Sequence, residues 1–381
     1  MPTYIKHILT IALLHICTLH AQTTIVDSIF VGGQYRNYRA YIPAAYDGSE
    51  AVPLLFNLHG YSSDNFGQAL YANFNPIADT AGFITVLPNG TLDLVGLRYW
   101  NCFVAPGIGV DDVAFLSALI DTIAADYSID LNRVYSTGMS NGGFMSYTLA
   151  CELSNRITAI ASVTGTIDKD RLAYCAPEHQ IPVMHIHGTA DAVVPYGDNL
   201  TFYSVDSVIG YWKAFNHTDD EPIFTAVPDI VTTDNCTAEH YVYENGWAGS
   251  TIEHYKIIGG EHTWPGTAIT FLGITNLDVN ACKEIWRFLS KYRLDALTAI
   301  PTEASPLIYQ LYPNPAHTQI VLSLSEAETQ IAIYDLSGKL MYSGIHNMRT
   351  VTVDIADWPV GIYGIQISND ALLHTLKFLK N

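Results

Sequence analysis

The sequence predicts an α/β unit, with a mainly parallel sheet covered by helices on both faces, followed by a small all-β sandwich. Three observations carry that fold class. Across residues 24–292, strand-like apolar runs alternate with stretches of helical periodicity, the pattern of parallel strands joined by crossover helices. Residues 297–308 then form a short polar break containing Pro301 and Pro306, which reads as a linker. From 309 to 381 the pattern changes to short alternating strands separated by turn residues, as in a minimal β-sandwich. A chain of 381 residues has room for both units. With 49% hydrophobic and 14% charged residues it has ample core material and too little charge for a disordered polymer.

Taken in order, the first element is residues 1–21. Lys6 supplies a positive start, residues 8–19 are apolar, and Ala21-Gln22 follows. The apolar run is too short to span a bilayer, so it reads as a secretory signal cleaved near Ala21. Cys17 is disfavoured as a lipidation site because bulky Ile16 precedes it. The α/β unit is expected over 22–296, anchored by apolar runs at 52–58, 134–137 and 181–186, each ending in a glycine-containing turn. Residues 112–127 read as an amphipathic helix with Val113, Leu116, Leu119, Ile120 and Ile123 on one side. Asp111 and Asp112 are expected to cap its positive end. In the second unit, 309–381, strands are expected at 320–324, 330–334, 351–355, 361–367 and 372–379.

A formal net charge of −19 argues against nucleic acid or an anionic membrane surface as partner, since both require clustered Lys and Arg. The charge fits a solvated acidic coat on an exported protein. Five cysteines remain once the signal is removed: Cys102, Cys151, Cys175, Cys236 and Cys282. An oxidising compartment permits disulfides, and Cys151 with Cys175 is the preferred pair. The odd number leaves at least one thiol free, expected at Cys282, which falls in a helical pattern. No Cys-x-x-Cys spacing or metal-ligand cluster is visible, and no cofactor is expected.

The chemistry is carried by Gly138-Met139-Ser140-Asn141-Gly142, placed after the strand 134–137 and before the helix-like 144–152. Flanking glycines are needed where a serine sits on a tight strand-to-helix turn, because side chains there collide with the neighbouring strand and helix. Ser140 is therefore the candidate nucleophile. Downstream, Asp191 lies just beyond the strand 181–186, where an open α/β sheet puts its reactive groups. It is the candidate acid that orients an imidazole, with Asp198 as fallback. His262, in Gly259-Gly260-Glu261-His262-Thr263-Trp264, follows another strand and is the candidate general base. His254 sits inside that strand and is set aside. His59-Gly60-Tyr61 follows the first long strand, so the backbone N–H groups of Tyr61 and Asn141 are expected to form an oxyanion hole. His59 is read as bracing that loop rather than as a second base.

Two resemblances add what patterning cannot. Around Ser140 and Asp191, together with His262-Thr263-Trp264-Pro265-Gly266, Tyr99-Trp100-Asn101 and Asp111-Asp112-Val113, residues 24–292 resemble the secreted polyhydroxybutyrate-depolymerase and feruloyl-esterase branch of the α/β-hydrolase fold. The resemblance implies a Ser140, Asp191, His262 triad and ester substrates. Feruloyl or acetyl esters on plant polysaccharide come first, and polyester such as polyhydroxybutyrate is the alternative. It also implies an aromatic-lined groove in which Trp100 and Trp264 hold substrate, with core packing as their other reading. A peptidase or a non-catalytic surface-binding protein on the same scaffold is less well supported. Tyr312-Pro313-Asn314-Pro315, residues 334–339, residues 358–363 and the terminal Lys377-Phe378-Leu379-Lys380 resemble the C-terminal sorting domain of the type IX secretion system of Bacteroidetes. That resemblance implies export across the outer membrane, with the type IX machinery as partner.

Overall fold

The computed structural model describes residues 22–298, 310–323, 329–348, 350–368 and 373–381. The expected signal at 1–21 and residues 299–308 of the expected linker lie outside the described residues. Contacts divide the chain into two compact units, Met1–Ala299 and Ile300–Asn381.

In the first unit ten strands form one sheet. In chain order they are β1 (Thr23–Val31), β2 (Gln34–Ile42), β3 (Val52–Leu58), β4 (Ile84–Pro88), β5 (Ile129–Met139), β6 (Ala159–Val163), β7 (Val183–Gly188), β8 (Ile223–Ala226), β9 (Thr237–Tyr243) and β10 (Ile252–Ile258). Their order across the sheet is β1-β2-β4-β3-β5-β6-β7-β10-β9-β8. The six from β4 to β10 are mutually parallel. Antiparallel pairs close each edge, β1 and β2 on one side, β9 and β8 on the other. Central strands read as unbroken apolar runs because both faces are buried. On β3, Leu54, Phe56 and Leu58 join one core and Leu55 joins the other, the period-two alternation of a strand.

Four longer helices cover the sheet: α1 (Asp112–Asp126), α2 (Asn141–Glu152), α3 (Val205–Asn216) and α4 (Ala281–Leu289). Helix α1 buries Phe115, Leu116, Leu119, Ile120 and Ile123. Asp111 caps it by accepting the Ala114 N–H at 2.8 Å. The expectation that Asp112 shares this capping role is corrected. Its carboxylate is buried, pairs with Arg36 at 2.6 Å and accepts the Asn101 N–H at 2.8 Å. A buried carboxylate needs such partners, so Asp112 ties α1 to β2 and to the segment carrying Trp100. Cys151, at the end of α2, forms a disulfide with Cys175, while Cys102, Cys236 and Cys282 are free and buried.

The second unit holds β11 (Gln310–Tyr312), β12 (Gln319–Ser323), β13 (Thr329–Asp335), β14 (Leu340–His346), β15 (Thr350–Asp354), β16 (Gly361–Ser368) and β17 (Leu373–Lys380). They form two sheets, β11-β12-β15 and β14-β13-β16-β17. Ile320, Leu322, Val351 and Val353 of the first pack with Ile331, Ile333, Ile365 and Phe378 of the second around one core, which is a sandwich. Strand β14 was not expected. It lies at a sheet edge and its residues are only partly buried, so its sequence lacks the alternation that marks a core-facing strand.

Candidate active site

Strand β5 leads directly into α2 through Ser140. A Cβ on Gly138 would lie 2.5 Å from the Gly142 carbonyl carbon, and one on Gly142 would run into the Leu58 carbonyl at the end of β3. Only glycines permit this packing. Ser140 itself takes φ 53° and ψ −121°, a strained conformation at the turn, and its N–H is fixed to Val163 O at 2.8 Å. Its side chain makes no capping bond to α2. The hydroxyl stands at the positive end of the helix, with no hydrogen-bond partner among the described residues.

Two strands along, the chain leaves β7 at Gly188 and bends so that Asp191 is fully enclosed. Asp191 Oδ1 accepts the N–H groups of Val193 at 2.9 Å and Val194 at 2.8 Å. Oδ2 accepts His262 Nδ1–H at 2.7 Å and faces His187 Nε2 at 3.4 Å. Burial alone would raise the Asp191 pKa, but the donors from His187 and His262 outweigh it and hold the carboxyl well below its usual range. Asp191 is therefore an anion at working pH. The fallback Asp198 is exposed.

His262 sits in the loop after β10. That loop is drawn against β7 so closely that a Cβ on Gly188 would meet the Gly260 and Glu261 carbonyls, and Ala190 N–H bonds Gly260 O at 2.9 Å. With Nδ1 donating to Asp191, the Nε2 lone pair remains available, as a base requires. The structure thus brings Asp191 and His262 into contact. Among the described residues, Ser140 Oγ makes no hydrogen bond with His262; in serine hydrolases this bond often tightens only with substrate bound.

The loop after β3 lies alongside. A Cβ on Gly60 would stand 3.5 Å from Ser140 Cβ. Neither Tyr61 N–H nor Asn141 N–H has an acceptor among the described residues. His59 Nδ1 donates to Gly60 O at 2.7 Å and Nε2 accepts Gly90 N–H at 2.9 Å. Burial pushes the His59 pKa down to about 4, so it stays neutral and braces the loop. The Asn141 side chain grips the Trp100 backbone, accepting its N–H at 2.6 Å and donating to its carbonyl at 3.0 Å.

Trp100 and Trp264 need a correction. They are 0% and 1% exposed, so neither lines an open groove. Trp100 Nε1 donates to His59 O at 3.0 Å, and the Trp264 backbone N–H donates to the Tyr71 hydroxyl at 3.0 Å. Both brace the loops that carry the site. The exposed apolar side chains stand elsewhere, on loops following the same ends of the parallel strands: Tyr61 after β3, Leu94 and Val95 after β4, Val193 after β7, and Phe271 after β10. His187 was also missed as a contact of Asp191. Its only signal is the run His185-Ile186-His187 leading to Asp191, which looks like buried strand.

Residues 36–201 match the family model described as "Esterase PHB depolymerase", a segment that includes Ser140 and Asp191. Residues 310–381 match the model described as "Secretion system C-terminal sorting domain", which makes the second unit a sorting domain. Outside these models, the esterase part is 27% identical over 263 residues to a bifunctional acetylxylan esterase/xylanase of Neocallimastix patriciarum, covering 69% of this chain and 34% of that one. It is 29% identical to feruloyl esterase B of Piromyces equi, covering 58% of this chain and 41% of that one. The chain thus spans less than half the length of either relative. Among solved structures, an acetyl xylan esterase from Aspergillus awamori aligns with a TM-score of 0.52 over 70% of this chain and 99% of its own, at 13% identity. That likeness is one of fold, the α/β-hydrolase fold.

Proposed function

We propose that the protein is an exported serine carboxylesterase acting on feruloyl or acetyl esters of plant polysaccharide. The observation that carries this reading is the enclosed Asp191–His262 pair, 2.7 Å between oxygen and nitrogen, at the same sheet end as the strained Ser140 turn. Ser140 Oγ attacks the ester carbonyl while His262 Nε2 takes its proton. The tetrahedral oxyanion is met by the N–H groups of Tyr61 and Asn141; loss of one such donor typically costs about 3 kcal/mol of transition-state stabilisation. His262 returns the proton to the departing alcohol, and water then cleaves the acyl-enzyme by the same path in reverse.

The exposed apolar side chains of Tyr61, Leu94, Val95 and Phe271 suit an aromatic acyl group better than a bare acetyl. They also favour a second reading, an aliphatic polyester such as polyhydroxybutyrate. Export would use the signal at 1–21 and the sorting domain, with the type IX machinery as partner. Initial rates of the wild-type protein and Ser140→Ala on methyl ferulate, acetylated xylan and a polyhydroxybutyrate film separate these readings. Ferulate turnover that vanishes in the variant is expected; clearing of the film alone moves the assignment to polyester. Activity surviving in Ser140→Ala would remove the serine mechanism.

A further inference from the structure

A row of buried polar side chains runs behind Asp191 and has no part in the mechanism above. Tyr147 of α2 meets His185 Nδ1 at 2.7 Å through its hydroxyl. His185 Nε2 lies 3.1 Å from His187 Nδ1. His187 Nε2 then reaches Val194 O at 2.9 Å and Asp191 Oδ2 at 3.4 Å. Tyr147, His185 and His187 are all buried, and the two rings stack nearly parallel.

The acceptors fix every proton in this row. Val194 O and the Asp191 carboxylate can only accept, so His187 Nε2 carries hydrogen and, in the neutral ring, Nδ1 is the acceptor. His185 Nε2 must therefore donate to it, which leaves His185 Nδ1 as acceptor of the Tyr147 hydroxyl. Burial keeps the His185 pKa well below and the Tyr147 pKa well above their ordinary values, so both stay neutral in these roles. The hydrogen bonds all point one way, from Tyr147 towards Asp191.

We propose that His187 is a positioning residue for the triad, locked by the Tyr147–His185 row into the tautomer whose Nε2–H is held by Val194 O and faces the Asp191 carboxylate. This rests on the Ser140–His262–Asp191 reading. The positive edge of that N–H beside Oδ2 favours the carboxylate plane that His262 needs, and it draws charge from the oxygen that holds the His262 N–H. Removing it makes that oxygen a stronger acceptor and favours the protonated base. The acid limb of the kcat/KM profile then moves to higher pH.

Other groups face the row and bear on the same limb. His254 of β10 packs on His185 and Tyr196, from the loop after Asp191, on His187; behind them Tyr241 of β9 stacks on His254 and Lys256 of β10 lies over Tyr196. Asp206 of α3 accepts from the Tyr196 hydroxyl at 3.3 Å. His254 Nδ1 bonds His185 O at 2.9 Å and its Nε2 meets the Tyr196 hydroxyl at 3.0 Å. They remain in place in the variants below.

The experiment measures full pH profiles of kcat/KM, with kcat and KM resolved, on whichever ester the wild type turns over. His187→Leu is expected to raise the midpoint of the acid limb by about half a pH unit, a threefold change in proton concentration, and to lower kcat about tenfold with KM within about twofold. His187→Gln, whose amide nitrogen replaces the Nε2 donor, is expected to restore the wild-type limb. Tyr147→Phe, a conservative and remote change, releases the His185 tautomer and is expected to move the limb in the same direction by less; it decides the matter should His187→Leu not fold. A wild-type limb in Tyr147→Phe and in folded His187→Leu overturns the proposal while leaving the triad intact. Activity retained by Ser140→Ala instead overturns the triad.

Discussion

A φ of 53° at Ser140 is a conformation that L residues seldom adopt, and it survives because packing on both sides leaves the turn no alternative. Asp191 is as tightly determined, with its two oxygens taking three hydrogen bonds between them and facing His187 at 3.4 Å. Asp191→Asn would place an amide N–H or a weaker acceptor against His262 Nδ1 and release the working tautomer. A fall in kcat of about 10⁴-fold with little change in folding is expected, checked by steady-state rates beside a thermal melt. The glycine-framed turn at Ser140 and the placing of Asp191 and His262 just after strands were legible in the sequence, because glycine spacing and position after a strand are local signals. The roles of Trp100, Trp264 and His187 were not. An aromatic ring has the same letter whether it lines a groove or braces a loop, and two histidines in a buried strand show no partner until α2 and the loop after β7 are folded against them.

Between elements, the clearest joint is the one fastening α4 and β9 to β10. Glu253 of β10 is buried and receives His240 of β9 at 3.0 Å, Arg287 of α4, and Lys291 just beyond it at 3.0 Å. Burial alone would raise its pKa, but hydrogen bonds from His240 and Arg287 prevail and lower it from 4.5 to about 2. A depressed folded-state pKa means that the unfolded chain binds more protons across this interval. The contribution, on the order of 3 kcal/mol, is therefore complete above about pH 4.5 and is lost as pH falls towards 2. Glu253→Gln should melt lower at pH 7 and show a flatter dependence of Tm on pH between about 5 and 2.5; an unchanged slope would assign acid lability elsewhere. None of this was readable beforehand. His240, Glu253 and Arg287 are far apart in sequence and carry no shared periodicity, whereas β3 and α1 announced themselves through theirs.

Across the whole molecule, two compact units meet in sequence near residue 300, and every residue assigned to the chemistry lies in the first. A 22–296 fragment is expected to fold and keep kcat/KM within about twofold of the full chain, measured on a small soluble ester; a large loss would give the sorting domain a part in the esterase. That the central strands run parallel was implied by alternating strand and helix patterns, but the antiparallel pairs at both edges were not, since edge strands are half exposed and lack the unbroken apolar run of central ones. One bond reaches across these scales. Helix α2 begins just after Ser140 and ends one residue past Cys151, which is tied to Cys175. Thiol chemistry at one end of a twelve-residue helix therefore bears on how firmly Ser140 is seated at the other. With Cys151 and Cys175 reduced, packing alone would be left to hold the far end of that helix.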